Sequence, residues 1–163
     1  MAIDVDYRET QTIAAAIFFE EWTDSKAVDE LTVKIGAVAD YVPGQFYQRE
    51  LPCIQALLAK QRHHPSTIIV DGYVYLGETQ KSGLGKHLWD ALDGKITVIG
   101  VAKKRFHGSP IETELMRGKS KKPLYITAEG IQLVQAKAQI ESMHGANRIP
   151  TLLKQVDSLC RES

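Results

Sequence analysis

Acidic residues that end apolar segments are the first candidates for chemistry in this chain. Asp4 follows Ala2 and Ile3, and Asp71 ends the apolar run 67–70. Carboxylates that converge repel one another and have raised pKa values unless a cation neutralises them. Mg²⁺ prefers hard oxygen ligands, and a pair of such ions stabilises the attacking and leaving oxygens of a phosphodiester displacement. The pattern indicates a site for metal-dependent phosphodiester cleavage if these acids meet.

Each candidate acid also has an ordinary structural explanation. Asp71 precedes a glycine, a common turn pair, and Glu50 would be favoured in a first helical turn by the helix dipole. Asp157 could face solvent on an amphipathic C-terminal helix. Asp6 lies two residues after Asp4, on the same strand face, and could be the ligand in its place. Composition and spacing alone favour the structural explanations.

Composition limits the classes of protein to which the chain can belong. Its 163 residues, 44% of them hydrophobic, suffice for one sizeable core, so we predict a single domain over residues 1–163. Twenty basic and twenty acidic residues give a net charge of zero, so any nucleic-acid contact must come from local patches. Cys53 and Cys160 have no metal-ligand spacing, and no apolar run reaches membrane-spanning length. We expect a cytoplasmic protein with buried thiols and no membrane partner.

The hydrophobic pattern predicts the elements that must position the acids. Alternating segments rich in β-branched residues predict an antiparallel meander of three strands within 2–7, 10–20 and 28–38. Short apolar runs predict buried strands at 67–70, 96–101 and 124–127. Helical spacing predicts helices within 45–61, 84–92, 130–144 and 150–161, the first beginning near Glu50 because Pro52 is tolerated only in a first turn. A meander followed by βα units predicts an α/β fold, a mixed sheet with helices on both faces.

Four segments, in order, resemble the endonuclease V family. They are Asp4-Val5-Asp6-Tyr7, Tyr41-Val42-Pro43-Gly44-Gln45-Phe46-Tyr47-Gln48-Arg49-Glu50-Leu51-Pro52, Ile69-Val70-Asp71-Gly72 and Ile99-Gly100-Val101-Ala102-Lys103-Lys104. The resemblance runs from about residue 2 to residue 157. It implies an RNase H-like fold and a Mg²⁺-dependent endonuclease, for which Mn²⁺ can substitute. Such an enzyme would nick the strand on the 3′ side of deoxyinosine in DNA, or of inosine in RNA in some members.

The resemblance also implies roles for particular residues of this chain. The catalytic metal ligands would be Asp4, Glu50, Asp71 and Asp157. Lys103 would be a catalytic lysine that contacts phosphate or stabilises developing negative charge. Nucleic-acid contacts would come from a wedge turn with a stacking aromatic, formed by Tyr41, Val42 and Pro43. Gly44 and Gly72 would lie near a flipped base, Phe46 and Phe106 would be apolar pocket residues, and Lys104 would be a further contact.

Three departures from the family pattern concern the segments around the acids. Family members usually carry a helical segment before the first catalytic aspartate, whereas Asp4 lies almost at the start here. Tyr73 and Val74 follow Asp71-Gly72 where the family has His-Gly, and Glu129-Gly130 replaces Gly-His after the last predicted strand. The carboxylates are retained while the surrounding loops differ, so metal-dependent cleavage is a firmer expectation than inosine as the substrate.

Two alternative functions stay open at this point. The first is a nucleic-acid-binding module that kept the fold and its basic loop, residues 119–122, but lost turnover. The second is an RNase H-like nuclease that recognises the structure of its substrate rather than inosine. Segment 117–123 has four basic residues in seven and is the loop that we expect to be most mobile.

Overall fold

The fold is built on a sheet of seven strands, seen in a computed structural model that describes residues 1–36 and 45–163. In chain order the strands are β1 (Ala2–Tyr7), β2 (Thr12–Phe18), β3 (Asp29–Ile35), β4 (Thr67–Asp71), β5 (Tyr75–Leu76), β6 (Lys81–Ser82), β7 (Thr97–Ala102), β8 (Glu114–Leu115) and β9 (Leu124–Glu129). The helices are α1 (Phe46–Leu58), α2 (Leu84–Ala91), α3 (Leu133–Ser142) and α4 (Thr151–Glu162). β5 and β6 pair with each other in a separate hairpin.

The main sheet combines antiparallel and parallel pairing, as the sequence predicted. Its strand order is β3-β2-β1-β4-β7-β9-β8. The first three strands form the antiparallel meander, and β1, β4 and β7 then run parallel to one another. β9 pairs antiparallel with β7, and the short β8 pairs with β9 and forms the edge of the sheet. Parallel neighbours require crossover connections, which the helical segments α1 and α2 supply.

Hydrophobic side chains cover the sheet on both faces. Along β2 every residue is buried: Ile13, Ala15 and Ile17 belong to one hydrophobic core, whereas Ala14 and Ala16 belong to the other. The first core packs against α3 and α4, and the second against α1 and α2. Helices on both faces are therefore confirmed. None of the helices in the described parts of the chain is long and apolar enough to cross a membrane.

Helix α1 begins earlier than the sequence predicted. It starts at Phe46 rather than near Glu50, and Pro52 lies in its second turn. A proline at this position removes the N–H that would bond to the carbonyl of Gln48. Gln48 is exposed, so water can form a hydrogen bond with that carbonyl. The prediction that Pro52 must lie in the first turn was wrong. The earlier start places Glu50 inside the helix, where its side chain is buried.

The chain leaves β4 through a tightly packed turn, and Gly100 of β7 makes room for it. A Cβ at this glycine would lie 2.5 Å from the carbonyl oxygen of Gly72, 2.8 Å from Thr127 Oγ1 and 2.9 Å from the Val74 nitrogen. The Val74 N–H donates to Thr127 Oγ1 at 2.8 Å, which ties the turn to β9. The turn can therefore lie directly on the sheet only while position 100 lacks a side chain.

Gly100→Ala should destabilise the protein by about 1–3 kcal/mol, the typical cost of overpacking a tight interior. The atoms in the way are main-chain atoms and a bonded hydroxyl, which cannot rotate aside. The midpoint of urea unfolding would measure the loss. Thr127→Ser keeps the acceptor oxygen and serves as the control, with a smaller expected effect. An unchanged midpoint for Gly100→Ala would mean that the turn does not pack against β7 as described.

Candidate active site

Two aspartates lie next to each other where the parallel pairing of β1 and β4 ends. Ile3 pairs with Val70 in this register, and Asp4 and Asp71 each follow one residue later. Asp71 is the last residue of β4 and pairs with Val101 of β7. In open α/β sheets, ligands commonly bind outside the carboxyl ends of the parallel strands. The register therefore brings two of the predicted site residues together at this edge.

Helices from opposite faces of the sheet bring two further acids to the same edge. Glu50 of α1 and Asp157 of α4 line a cavity of about 300 Å³ together with Asp4, Asp71 and Lys103. We name this space the acidic cavity. The four carboxylates come from elements that are far apart in the sequence, and they are the four predicted metal ligands. The structure thus brings all four of them, and the predicted lysine, to one place.

Two of the clustered carboxyls, those of Asp4 and Glu50, resist ionisation. Burial, the charge of Asp71 and a side-chain hydrogen bond with Asp157 raise the pKa of Asp4 to about 7. Burial also raises the pKa of Glu50 well above its ordinary value, and the charges of Asp4 and Asp71 add to that effect. The charge of Arg49 opposes this effect only in part, and within the described residues Glu50 forms no ion pair. A cation that entered the cavity would relieve this repulsion.

Lys103 supplies positive charge to the acidic cavity. Its Nζ donates to Asp71 Oδ2 at 2.6 Å. Burial lowers the pKa of Lys103, but its hydrogen bond to Asp71 and the nearby charges of Asp71, Asp4 and Asp157 outweigh burial and raise that pKa overall. Lys103 therefore stays protonated at neutral pH, where it can stabilise negative charge at this edge of the sheet.

The chemistry of the donor set fits a hard divalent cation. Four carboxylates offer only oxygen ligands, the type that Mg²⁺ and Mn²⁺ prefer. Across residues 1–36 and 45–163, however, no group of three or more His, Cys, Asp and Glu side chains is arranged so that it could hold a metal ion. Asp71 is paired with Lys103, and Asp157 with Arg161 at 2.8 Å, so these carboxylates would have to turn from their present partners. The assignment of the four acids as metal ligands stays a prediction.

Asp6 differs from Asp4 in its surroundings. Asp6 also borders the acidic cavity, but its Oδ2 accepts a hydrogen bond from Arg8 Nε at 2.9 Å. The same guanidinium donates to the carbonyls of Cys160 and Arg161 at the end of α4. Asp6 therefore belongs to a contact that joins β1 to α4, and the geometry favours Asp4 as the member of the acidic cluster.

A second, larger cavity adjoins the acidic one. We name it the apolar cavity; it has a volume of about 670 Å³ and shares Asp71, Lys103 and Phe46 with the acidic cavity. Phe46 and Phe106 line this cavity and are 40% and 41% exposed, so part of each residue is open to solvent. The cavity contains four residues predicted to contact nucleic acid: Gly72, Phe46, Phe106 and Lys104. The other predicted contacts, Tyr41, Val42, Pro43 and Gly44, lie outside the described residues.

Tyr73 holds the segment after β7, a role that sequence reasoning missed. Its hydroxyl donates to the carbonyl of Lys104 at 2.8 Å and accepts the N–H of Phe106 at 3.0 Å. Its ring meets Phe106 edge to face, with 6.1 Å between ring centroids. Tyr73 thereby fixes one wall of the apolar cavity. The only signal in the sequence was the departure from the family's histidine at this position, which does not identify a partner.

Arg148 supports Lys103 from the other side, and sequence reasoning missed this role as well. Its Nη2 donates to the carbonyl of Lys103 at 2.5 Å and to that of Pro123 at 2.6 Å. The guanidinium therefore joins the end of β7 to the start of β9. Because the partners are main-chain carbonyls, no motif in the sequence could have named them.

Comparison with known proteins decides the family. A sequence model of the Endonuclease V family matches residues 1–157. The chain belongs to the endonuclease V family. The endonuclease V of Streptomyces coelicolor is 27% identical over 180 residues, which cover 98% of this chain and 76% of that protein. The endonuclease V of Thermococcus kodakarensis is 24% identical over 160 residues, with coverage of 98% and 76%. Membership of this family places the chain among the nucleases.

Solved structures of the endonuclease V family share the fold. The enzyme from Streptomyces avermitilis has a TM-score of 0.76 at 28% identity, covering 99% of this chain and 78% of that one. The enzyme from Ciona intestinalis, solved with a 23mer DNA containing an inosine followed by a ribo-adenosine, has a TM-score of 0.80 at 18% identity, with coverage of 99% and 83%. The predicted RNase H-like fold is thereby confirmed.

Asp4→Asn should stabilise the metal-free protein more at pH 8 than at pH 4. Folding raises the pKa of Asp4 from 3.8 to about 7, so the folded state binds its proton more tightly than the unfolded chain does. The stability of the wild-type protein therefore falls as the pH rises between these values, and the loss persists above pH 7. Asparagine removes this dependence.

Melting temperatures in EDTA at pH 4 and pH 8 would measure the difference for Asp4→Asn. Asp6→Asn is the matched control, because Asp6 is paired with Arg8 and its loss should bring no gain at pH 8. Equal shifts of the Asp4→Asn melting temperature at the two pH values would contradict the prediction.

Proposed function

We propose that this chain is a divalent-metal-dependent endonuclease that cuts nucleic acid on the 3′ side of deoxyinosine in DNA. The observation that carries the proposal is the meeting of four carboxylates and Lys103 in one cavity, beside an apolar cavity with two exposed phenylalanines. Membership of the endonuclease V family supports the reaction. The complex of the Ciona intestinalis relative with inosine-containing DNA supports the substrate.

The four acids of the acidic cavity, Asp4, Glu50, Asp71 and Asp157, would hold Mg²⁺, and Mn²⁺ could take its place because it accepts the same oxygen ligands. When bound, the metal would neutralise the carboxylates and act as a Lewis acid toward the scissile phosphate. Asp4 and Glu50 must lose their protons before they can bind a cation. Because the pKa of Asp4 is about 7, affinity for the metal should increase as the pH rises toward 8.

Lys103 is placed to bind an oxygen of the scissile phosphate. Its side chain is 39% exposed, so the ammonium group can reach a substrate while it stays within the cluster. Negative charge accumulates on the phosphate oxygens during displacement, and a fixed ammonium lowers the free energy of that transition state. Arg148 binds the carbonyl of Lys103 and Tyr73 binds that of Lys104, and these contacts hold the main chain at and just after this residue.

The apolar cavity would hold a base that has turned out of the strand. Phe46 and Phe106 offer apolar ring faces for stacking, and Gly72 brings main chain to the wall. Asp71 and Lys103 border this cavity and the acidic cavity, so a base and a neighbouring phosphate could be held together. A poorly paired base costs the least free energy to unstack, which favours deaminated purines over normal ones.

Asp71→Asn should reduce kcat/KM by more than about 100-fold, because loss of an outer partner of a metal ligand already costs about 10- to 100-fold and Asp71 would be a ligand itself. The substrates would be a labelled duplex with one deoxyinosine, its inosine RNA counterpart and an unmodified duplex, each with Mg²⁺, Mn²⁺ or EDTA. The matched control is Asp6→Asn, which removes the same charge from a carboxylate paired with Arg8 and should change kcat/KM only a few-fold.

Each outcome of this cleavage experiment assigns a function. Cleavage of the deoxyinosine strand that needs a divalent ion and is lost in Asp71→Asn supports the proposal. Equal cleavage of the unmodified duplex would replace it with a nuclease that recognises structure. Binding without cleavage would replace it with a nucleic-acid-binding module, and cleavage by Asp71→Asn at the wild-type rate would remove the mechanism.

Phe106→Ala should lower kcat/KM for the deoxyinosine strand by about 5- to 150-fold, because stacking on an aromatic ring contributes about 1–3 kcal/mol per base. The affinity for an unmodified duplex should stay the same, since no base enters the apolar cavity. Val134→Ala removes another exposed apolar side chain, on α3 and away from both cavities, and is the control. A loss of affinity for both duplexes would mean that Phe106 stabilises the fold and does not stack on the base.

A further inference from the structure

Residues 117–123, which we name the lysine loop, precede β9 and present three exposed lysines. Lys119, Lys121 and Lys122 are each exposed. None of the three takes part in the ion pairs formed within the described part of the chain. Because the net charge of the protein is zero, this group creates a local positive field that the overall charge does not supply.

The lysine loop is anchored at its first end by Arg117 and Gly118. Arg117 is only 6% exposed, and its guanidinium donates to the main-chain carbonyls of Met143 and Asn147. Gly118 has a φ of +64°, and a Cβ there would lie 2.5 Å from the carbonyl oxygen of Ala146. The sequence predicted a mobile loop with four basic residues. One of them, Arg117, is buried and holds the start of the loop in place.

Arg148 anchors the other end of the lysine loop and connects it with the acidic cavity. The guanidinium that binds the carbonyl of Pro123 also binds the carbonyl of Lys103. Lys103 in turn contacts Asp71 at 2.6 Å. A single arginine side chain therefore joins the lysine loop to the main chain of the residue that lies against the acids. The position of the three lysines relative to the acidic cavity is set by these contacts.

The spacing of the three lysines suits consecutive phosphates of one strand. An extended chain covers about 3.3–3.6 Å per residue, so positions 119 to 122 span at most about 10 Å. The Ser120 hydroxyl accepts the N–H of Lys122 at 3.1 Å, which shapes the main chain between the lysines. Three ammonium groups on long side chains within this span can contact up to three phosphates of one strand.

We propose that the lysine loop binds the phosphate backbone of the nucleic acid whose scissile bond lies in the acidic cavity. The proposal rests on the proposed function, because that function makes nucleic acid the partner. The carboxylates of the acidic cavity repel a polyanion, and the loop supplies the opposite charge beside them. Contacts with phosphates position a strand without reading its sequence, so this surface would serve modified and unmodified strands alike.

Replacement of Lys119, Lys121 and Lys122 together by glutamine tests the proposal. Fluorescence anisotropy would measure the Kd of a labelled duplex with one deoxyinosine, and of an unmodified duplex of equal length, over a range of salt concentrations in EDTA. Each lost phosphate contact lowers the slope of log affinity against log salt by about 0.9. The slope should therefore decrease by about two to three, and the Kd at low salt should rise at least about tenfold, on both duplexes.

Two further triple variants serve as controls. Lys26, Lys60 and Lys95 lie in the β2–β3 connection, after α1 and before β7, which places them at the opposite end of the sheet. Their replacement by glutamine removes the same charge and should leave the slope unchanged. Arginine at positions 119, 121 and 122 keeps the charge and should keep the slope. Melting temperatures of all variants would report whether the fold is intact.

The outcomes distinguish this proposal from the proposed function. Equal losses in the two glutamine variants would overturn the role of the lysine loop, because affinity would then follow net charge alone. A loss in the arginine variant would overturn it as well. If the wild-type protein does not cut the deoxyinosine duplex in Mg²⁺, and only the glutamine variant of the lysine loop has a smaller slope, the proposed function is wrong and the lysine loop still binds phosphate. If the wild-type protein cuts this duplex and the glutamine variant of the lysine loop keeps the same slope and KM, the lysine loop does not bind phosphate and the proposed function remains supported.

Discussion

Repulsion among carboxylates at one edge of the sheet is the constraint on which the rest of the site depends. The parallel register of β1 and β4 places Asp4 beside Asp71, and burial together with this neighbour raises the pKa of Asp4 to about 7. Clustering buried carboxylates in this way destabilises the folded protein unless a cation binds them. Lys103 offsets part of this repulsion at Asp71, and Arg161 does so at Asp157. The oxygen ligands of the cluster suit a divalent cation for the rest.

The elements around the cluster hold its one lysine from two sides. Tyr73 binds the main chain just after Lys103, and Arg148 binds the carbonyl of Lys103 itself. Both contacts use groups with strong directional preferences, a phenol and a planar guanidinium, so the segment between β7 and the apolar cavity has little freedom to shift. Catalysis by fixed charges depends on this kind of support, since a group that must reorient loses its advantage over water.

Charge is separated along the same edge of a protein whose net charge is zero. The acids lie inside the acidic cavity, whereas the exposed lysines lie on a loop that Arg148 ties to it. Arg117 and Arg148 use their guanidinium groups to bind main-chain carbonyls, which leaves lysines, with their compact and flexible charges, at the surface. A balanced composition therefore conceals a local pattern that only folding creates.

The sequence by itself determined six of the seven strands of the main sheet and the burial on both faces, because apolar alternation and helical spacing are local properties of a chain. The choice of acids came from the resemblance to a family, since spacing alone favoured structural roles for them. The sequence left open whether Asp71 was a ligand or a turn residue, since that choice depends on a neighbour 67 positions away in the sequence, Asp4. Only the tertiary structure decided the early start of α1 that buries Glu50 and the partners of Tyr73 and Arg148. The hydrogen bonds of Tyr73 and Arg148 join residues 31 and 45 positions apart and end on main-chain carbonyls, which every residue carries and no local pattern distinguishes.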